Sequence, residues 1–368
     1  MDSQFLYWKL VWNNLGVRPL RSTLSVSAMS LQVFLILFIV GFTSGMQADW
    51  RTRQEGVGAD IIVMTPNASI FFPSAVMPES LGEKIARVGG VADVTPVLVI
   101  SQAGNGNLGV IDGIDYGHYA NLSRGFTFLS GGPFTAPNQV LADDLAAHAR
   151  HLKVGSVVTL VDHQFVVCGI VLNGKGARFF IPLPTAQYIQ NAEGRVSMFY
   201  VRSDGNTEAV RAEIVKAVPD FKVQSMAQYL TLFSSTILPL LGPFIRSFVG
   251  LGVAISFLVV LMTMHTLVLE RTREIGIMKA LGFSKMEVCG LIAVEALVMA
   301  GLAVGAGLAL TGVIYVILRY AAPTLPVIIQ PVWVLRAIGL TILGAIAGAL
   351  YPALRAAGSD PVDALAYE

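Results

Sequence analysis

The sequence predicts a membrane protein, with four transmembrane α-helices and a large α+β extracytoplasmic domain inserted between helices 1 and 2. Three observations predict it. Hydrophobic residues make up 54% of the 368-residue chain and charged residues 13%, with a mean hydropathy of +0.65, against about 25% charge in an ordinary soluble protein. Of the 49 charged residues, 30 fall between Asp49 and Lys222, so one block is as charged as a soluble domain and the rest is nearly bare. Finally, Ser22–Ala48, Ser247–Leu269, Ala296–Leu318 and Ala337–Leu354 carry no Asp, Glu, Lys or Arg. A helix rises about 1.5 Å per residue and the hydrocarbon core is about 30 Å thick, so about 20 such residues span it.

The elements follow in chain order. Residues 1–21, with Phe5, Leu6, Trp8, Lys9, Leu10 and Trp12, read as a cytoplasmic interfacial helix. Residues 22–48 form the first span. Its apolar run exceeds a signal-peptide core of about 7–15 residues, which predicts an uncleaved anchor, and it is longer than a bilayer needs, so it tilts or continues outward as a stalk. The block 49–236 is the α+β domain, expected in two lobes. Ala59–Met64 and Val94–Ile100 are expected strands. Ser156–Val161 and Gln164–Val171 are expected to form a hairpin around Asp162-His163. Pro78–Val88 and Thr207–Val218 read as helices, the second with Ala209, Val210, Ile214 and Val218 on its apolar face. Residues 237–269 are a stalk and span two, 270–285 a cytoplasmic loop, 286–320 span three, 321–331 a short outer loop, 332–354 span four, and 355–368 a tail. The last charge-free stretch is short and draws Arg336 into the interface.

Basic residues orient the spans. Lys9, Arg18, Arg21, Arg271, Arg273, Lys279, Lys285 and Arg355 stand on one side against Arg319 and Arg336 on the other. The positive-inside rule then places both termini and the 270–285 loop in the cytoplasm and the 49–236 block outside.

A net charge of +1 gives no basic excess for nucleic acid, and two distant cysteines, Cys168 and Cys289, make no disulfide framework. The run Gly169–Gly176 is one residue short of a phosphate-binding loop. It lacks the closing Ser or Thr and is expected to be a glycine-rich turn. His148 and His151, with Asp143 and Asp144 nearby, lack a convincing third ligand and read as a solvated helix face. No catalytic cluster and no metal site is expected. Glu295, inside span three, is either an interhelical packing residue or a substrate or coupling residue. The pairs Gly41 and Gly45, Gly301 and Gly305, and Gly344 and Gly348 have the four-residue spacing that lets helices approach closely, within a tightly packed bundle or across a dimer.

The most informative segment is Glu270-Arg-Thr-Arg-Glu-Ile-Gly-Ile-Met-Lys-Ala-Leu-Gly282. Ile275, Met278 and Leu281-Gly282 are expected on one apolar face, with Arg273, Glu274 and Lys279 on a polar one. By its chemistry the segment is either a short docking helix for a cytosolic partner or an ordinary re-entry loop. It resembles the signature of the FtsX/MacB/LolCE-like permease family, the type VII ABC transporters, whose E-R-x-R-E-I-G-I-x-(K/R)-A-x-G run it matches at every position. Arg18-Pro-Leu-Arg-Ser-Thr-Leu24, Gly58–Val63, Val140–Asp143, Leu152–Ser156, Phe165–Gly169, Tyr351–Ala357 and Asp360–Leu365 are similar to further family segments, the outer ones to a MacB-like periplasmic core domain. The close Leu365-Ala-Tyr-Glu368 departs from the family's usual Leu-Arg-x-Glu and lacks its basic residue.

The resemblance implies a non-catalytic permease subunit of a bacterial inner membrane. Glu270, Arg271, Arg273, Glu274, Ile275, Gly276, Lys279, Ala280 and Gly282 would form the coupling helix. The implied partners are a cytosolic ABC ATPase subunit, a second permease copy or paralogue, and a membrane-fusion adaptor or a periplasmic enzyme. MacB carries its ATPase fused at the N-terminus; here ATP and Mg are expected on a separate subunit, with no cofactor in this chain. Two functions stay open: export or extraction of a substrate by movement of the outer domain, or FtsX-like mechanotransmission that activates a periplasmic partner without transport.

Overall fold

The computed structural model describes residues 19–68, 75–104, 107–270 and 272–358. Most of the expected interfacial helix, Arg271 and the tail beyond Gly358 lie outside them. The chain divides into two compact units. One comprises residues 1–44, 240–318 and 327–368, the other 45–239 and 319–326.

Among the described residues, four helices are long and apolar enough to cross a membrane. Helix α1 (Pro19–Gly56) runs through the first charge-free stretch and on through the charged turns from Asp49 to Glu55. Within the first unit, Gly307 comes so close to α1 that a Cβ there would lie 2.7 Å from Val33 Cβ and 2.8 Å from Ser30 O. Without a hydrophobic force between helices in lipid, close approach of small residues is what holds such a bundle together. Ser25 and Thr263 share a hydrogen bond of 2.6 Å between spans one and two. The outward faces are apolar: Leu24 is 64% exposed, Met262 71%, Val316 52% and Leu335 69%. In water such faces would drive association; in lipid they are matched.

The second unit carries a ten-stranded sheet. After α1 come β1 (Ile61–Met64), β2 (Met77–Pro78), α2 (Leu81–Ala86), β3 (Val91–Gly104), β4 (Asn107–Ile114), α3 (Tyr116–Leu122), β5 (Phe128–Gly131) and β6 (Gln139–Asp143). Then follow α4 (Asp144–Ala149), β7 (Val157–Leu160), β8 (His163–Val171), β9 (Phe179–Pro182), α5 (Leu183–Ile189), β10 (Arg195–Val196), β11 (Met198–Ser203), α6 (Thr207–Ala217) and β12 (Lys222–Ser225). The strand order is β12-β1-β11-β3-β4-β9-β6-β8-β5, with β7 hairpinned onto β8. β4–β9 and β6–β8 are parallel; the other pairs are antiparallel. Through β4–β9 and β9–β6 the two expected lobes join in one sheet. Helix α7 (Met226–Glu270) leaves β12 directly and runs unbroken through the second span; α8 (Thr272–Ala280), α9 (Lys285–Ala321) and α10 (Pro331–Gly358) complete the chain.

Several expected boundaries shift. The hairpin turn is Val161-Asp162 rather than Asp162-His163. Both residues have positive φ, 47° and 61°, as a two-residue type I′ turn requires. The helix expected from Pro78 starts at Leu81, because Met77-Pro78 pair with Arg195-Val196 as a two-stranded sheet. On α6, Val210, Ile214 and Val218 are buried four residues apart, while Ala209, one position round the helix, is exposed.

Candidate coupling site and stalk root

Helix α8 is a nine-residue element between α7 and α9. Ile275 and Gly276 are buried, Ile275 in a cluster with Val268, Val288, Ile292, Ala353 and Ala356, and Met278 and Phe283 pack on its edge. The helix ends by a defined device. Gly282 N–H donates to Lys279 O at 3.0 Å and Phe283 N–H to Met278 O at 3.1 Å, while Gly282 has φ +101°. This is a Schellman motif, which needs a left-handed residue after the helix and brings Phe283 against Met278. The next helix opens on a capping box: Ser284 N–H donates to Glu287 Oε2 at 2.7 Å, and Glu287 N–H to Ser284 Oγ at 3.3 Å.

These contacts sort the predicted coupling residues. Arg273, Glu274, Ile277 and Ala280 are exposed on α8. Gly276 is buried beside Ile275. Lys279 does not join a free polar face, since its Nζ donates to Ala357 O at 2.9 Å, a cation on the last carbonyls of α10. Leu281, expected on the apolar buried side, is 76% exposed, because the helix stops at Ala280 and the Schellman turn breaks the periodicity. Phe283, half-buried, packs against the cluster in its place; its distance of five residues from Met278 matches no helical period, so periodicity alone misses it.

Glu295 is 2% exposed and enclosed by the bundle beside Ile292, Ala296 and Met299, so its carboxylate does not reach the surface. The glycine pairs separate. A Cβ on Gly348 would meet Phe257 O at 2.8 Å and Val260 Cβ at 2.9 Å, and Gly344 faces Ser256 at 3.7 Å, so this pair packs span four on span two. Gly41 is held against Val327 and Ile328, and Gly45 is buried. A Cβ on Gly301 or Gly305 would meet nothing from another element within 4 Å, and both face outward.

The second unit holds a second constellation, at the root of α1 and α7. Arg53 Nε donates to Asp49 Oδ2 at 3.0 Å; Arg178 donates to Asp49 Oδ2 at 3.1 Å and to Asp143 Oδ2 at 3.0 Å. Arg53 Nη1 donates to Gly176 O at 3.0 Å, and Gly176 N–H returns a bond to Arg53 O at 2.9 Å. Asp143 also accepts from Ala146 N–H at 2.6 Å as the cap of α4; burial raises its pKa to about 6 even so, with Arg178 holding it down. Asp112, on β4, is 4% exposed, and burial raises it to about 7 against the lowering effects of Arg53 and the Ala177 N–H. The glycine-rich run that resembles a phosphate loop is part of this root. It follows β8 without a helix, and Gly174 lies so close to Gly56 that a Cβ on Gly56 would overlap Gly174 O at 1.7 Å. His148 closes α4 and His151 lies beyond its end with φ +53°, so the pair does not share a helix face. The one trace of this constellation in the sequence is a lone acid, Asp112, among the apolar residues of β4.

Residues 22–217, a little over half of the chain, match the MacB-like periplasmic core domain, and residues 246–361 match the FtsX-like permease C-terminal domain. The chain belongs to the MacB/FtsX-type ABC transporter permeases. Among individual proteins it is 24% identical to a macrolide export ATP-binding/permease protein MacB of Hyphomonas neptunium, over 98% of this chain and 60% of that protein. It is 26% identical to the MacB of Rhodospirillum rubrum with the same coverage, and 27% identical to an uncharacterized ABC transporter permease of Methanocaldococcus jannaschii over 40% of this chain and 39% of that protein. The chain thus spans about 60% of the length of the MacB relatives. Among solved structures it resembles the periplasmic region of MacB from Actinobacillus actinomycetemcomitans, at 16% identity and a TM-score of 0.37, covering 50% of this chain and 94% of that one. The first matched region of this MacB/FtsX-type permease carries α1 and the stalk root; the second carries α8 and the three helices around it. Four apolar helices with a periplasmic-type domain between the first two fit an inner-membrane protein.

Proposed function

We propose that this chain is the membrane subunit of a type VII ABC exporter. It works as a pair of permease copies with a cytosolic ATPase, and moves its outer domain to expel or extract a substrate. The observation that carries this reading is the continuity of two helices. α1, at 38 residues, and α7, at 45, each extend without interruption from an apolar span into the outer unit, and α7 is followed at once by α8. A push on α8 by the ATPase then has a stiff route outward, since a helix transmits displacement along its axis. In this reading both termini and α8 are cytoplasmic and the sheet is outside, in line with the basic asymmetry. Gly301 and Gly305, outward on α9, are the surface offered to the second permease copy.

Two experiments test it. A cysteine placed at Asp204 should react with an impermeant reagent from outside while one at Ser284 does not; the reverse refutes the orientation. In a reconstituted complex, Glu274→Ala and Ile277→Glu on the exposed side of α8 should lower ATPase stimulation and export at least tenfold while the chain still inserts. Normal assembly and export by both variants refutes the coupling role. Export that stops while ATP hydrolysis continues locates the failure beyond α8.

A further inference from the structure

Where spans two and four end together, three side chains form a cluster to which the coupling role gives no task. Arg355 is the first charge after the bare stretch Ala337–Leu354 of α10, and His265 lies within the last turns of the bare stretch Ser247–Leu269 of α7. Arg355 Nη1 lies 3.1 Å from His265 Nε2. A guanidinium can only donate, so the imidazole accepts at Nε2 and is neutral, with its proton on Nδ1. The ring of Tyr351, one turn before Arg355, stacks on that imidazole with centroids 6.3 Å apart and planes at 13°. The seam is tight above the cluster, where Gly344 and Gly348 seat α10 on α7. Tyr351 therefore backs His265, and His265 aims the guanidinium. Tyr351, Leu354 and Arg355 are all exposed on this last part of α10. Among the described residues the partner of Arg355 is this imidazole and not a carboxylate, so the cation arrives at the surface with its charge and most of its five donors unused. The face of α7 leading to the cluster is apolar. Leu251, Ile255, Leu258 and Met262 are exposed at alternating spacings of four and three, and His265 continues the same row. From Leu251 to Met262 that row is about 16 Å long, close to half of a hydrocarbon core of about 30 Å.

We propose that this cluster is a binding site for one anionic phospholipid. Arg355 holds the headgroup phosphate, His265 and Tyr351 position the guanidinium, and an acyl chain lies along the Leu251–Met262 row through the depth of one leaflet. The guanidinium fork matches a phosphate in shape as well as charge. Charge selects the lipid: a zwitterionic headgroup carries its own cation beside the phosphate, and that cation repels Arg355, whereas an anionic headgroup carries none. A second permease copy is the poorer occupant of this face, because it would bury a guanidinium whose charge nothing offsets. An arginine that merely anchors a helix end in the interface needs no oriented imidazole and does not distinguish one lipid from another. The site requires only that α7 and α10 cross a membrane, in either direction, and it does not rest on the exporter reading.

The test is native mass spectrometry of the full chain released from detergent micelles, titrated with phosphatidylglycerol and, separately, with phosphatidylcholine of the same acyl chains. Wild type should hold one phosphatidylglycerol per chain at concentrations where phosphatidylcholine leaves it bare. Arg355→Gln should weaken that binding about tenfold, the loss of one charge-assisted contact. His265→Ala should weaken it about threefold by freeing the guanidinium to rotate, and His265→Gln, which restores an acceptor, should recover it. Arg319→Gln removes an exposed cation at the end of span three and should change nothing. Melting curves in the same micelles check folding; if Arg355→Gln melts early, the two His265 variants decide. Equal binding of both lipids by wild type, undiminished binding by Arg355→Gln or by His265→Ala, or an equal loss with Arg319→Gln overturns the site. Inorganic phosphate and glycerophosphoglycerol, the headgroup without its chains, are added as competitors. Neither should displace the lipid; displacement by either shows an anion site that needs no acyl chain and refutes the lipid assignment. A fall in the dimer fraction on Arg355→Gln with lipid counts unchanged gives this face to the second copy and refutes it as well.

Discussion

Adding a single methyl group to each of two glycines of the membrane unit should change stability in opposite directions. In both cases alanine is the better helix former, by about 1 kcal/mol at most. At Gly301 on α9 nothing in the same chain lies within 4 Å of the added Cβ, so in the single chain, apart from any second copy, the propensity gain stands alone, and Gly301→Ala should raise the stability of the monomer by up to about 1 kcal/mol. At Gly348 on α10 the methyl would meet Phe257 O at 2.8 Å, Val260 Cβ at 2.9 Å and Val260 Cγ1 at 3.0 Å. Carbon contacts are comfortable at about 3.5–4.0 Å, so the helices must part by more than half an ångström, and a backbone carbonyl cannot rotate away. The separation spreads to Ala345 and Ala349, which are fully buried on the same face. Overpacking of this kind costs about 1–3 kcal/mol, which offsets or outweighs the propensity gain, and Gly348→Ala should lose up to about 2 kcal/mol net. The assay is thermal unfolding of the full chain in monodisperse detergent, with light scattering to fix the oligomeric state. A loss at Gly301 as large as at Gly348, with the oligomeric state unchanged, would refute this assignment of helix faces. A loss of the dimer confined to Gly301→Ala is the result expected of the proposed contact of the second copy on α9.

Three further outcomes follow from the contacts. The folded outer domain keeps a proton on Asp112 that the unfolded chain gives up between pH 3.8 and about 7, so its stability relative to Asp112→Asn should fall by roughly 2 kcal/mol from pH 5.5 to 8; paired denaturation curves at the two pH values that show no such difference would contradict it. Arg178→Ala strips Asp143, whose side chain is 2% exposed, of its guanidinium partner and should cost about 3 kcal/mol, with Asp143→Asn in the same background restoring part of the loss in the same melts. Lys279→Met removes the cation on the α10 carbonyls and should weaken the end of that helix by about 1 kcal/mol, visible as faster hydrogen exchange around Ala356 and Ala357, while unchanged exchange there would show that the contact contributes nothing.

The sequence by itself determined the number and place of the spans, because charge depletion over about 20 residues is a direct record of a bilayer's thickness. It also determined the inserted domain, whose charge density sets it apart, and it made the family's signature segment legible, since the run from Glu270 to Gly282 is contiguous. Local patterns were legible wherever one period governed: Val210, Ile214 and Val218 are buried as the helical spacing requires. Tertiary structure decided what depends on residues far apart. Which glycine pair packs inside the chain is set by the helix opposite, so Gly344 and Gly348 meet span two while Gly301 and Gly305, of identical spacing, face outward. That the Lys279 ammonium reaches a carbonyl of its own chain was fixed by where α10 ends. Of the stalk root, only the lone acid Asp112 among apolar residues was visible in the sequence. Asp49, Arg53, Asp112, Asp143 and Arg178 are scattered over 130 positions, and only the pairing of β4 with β9 and of β9 with β6 brings them together.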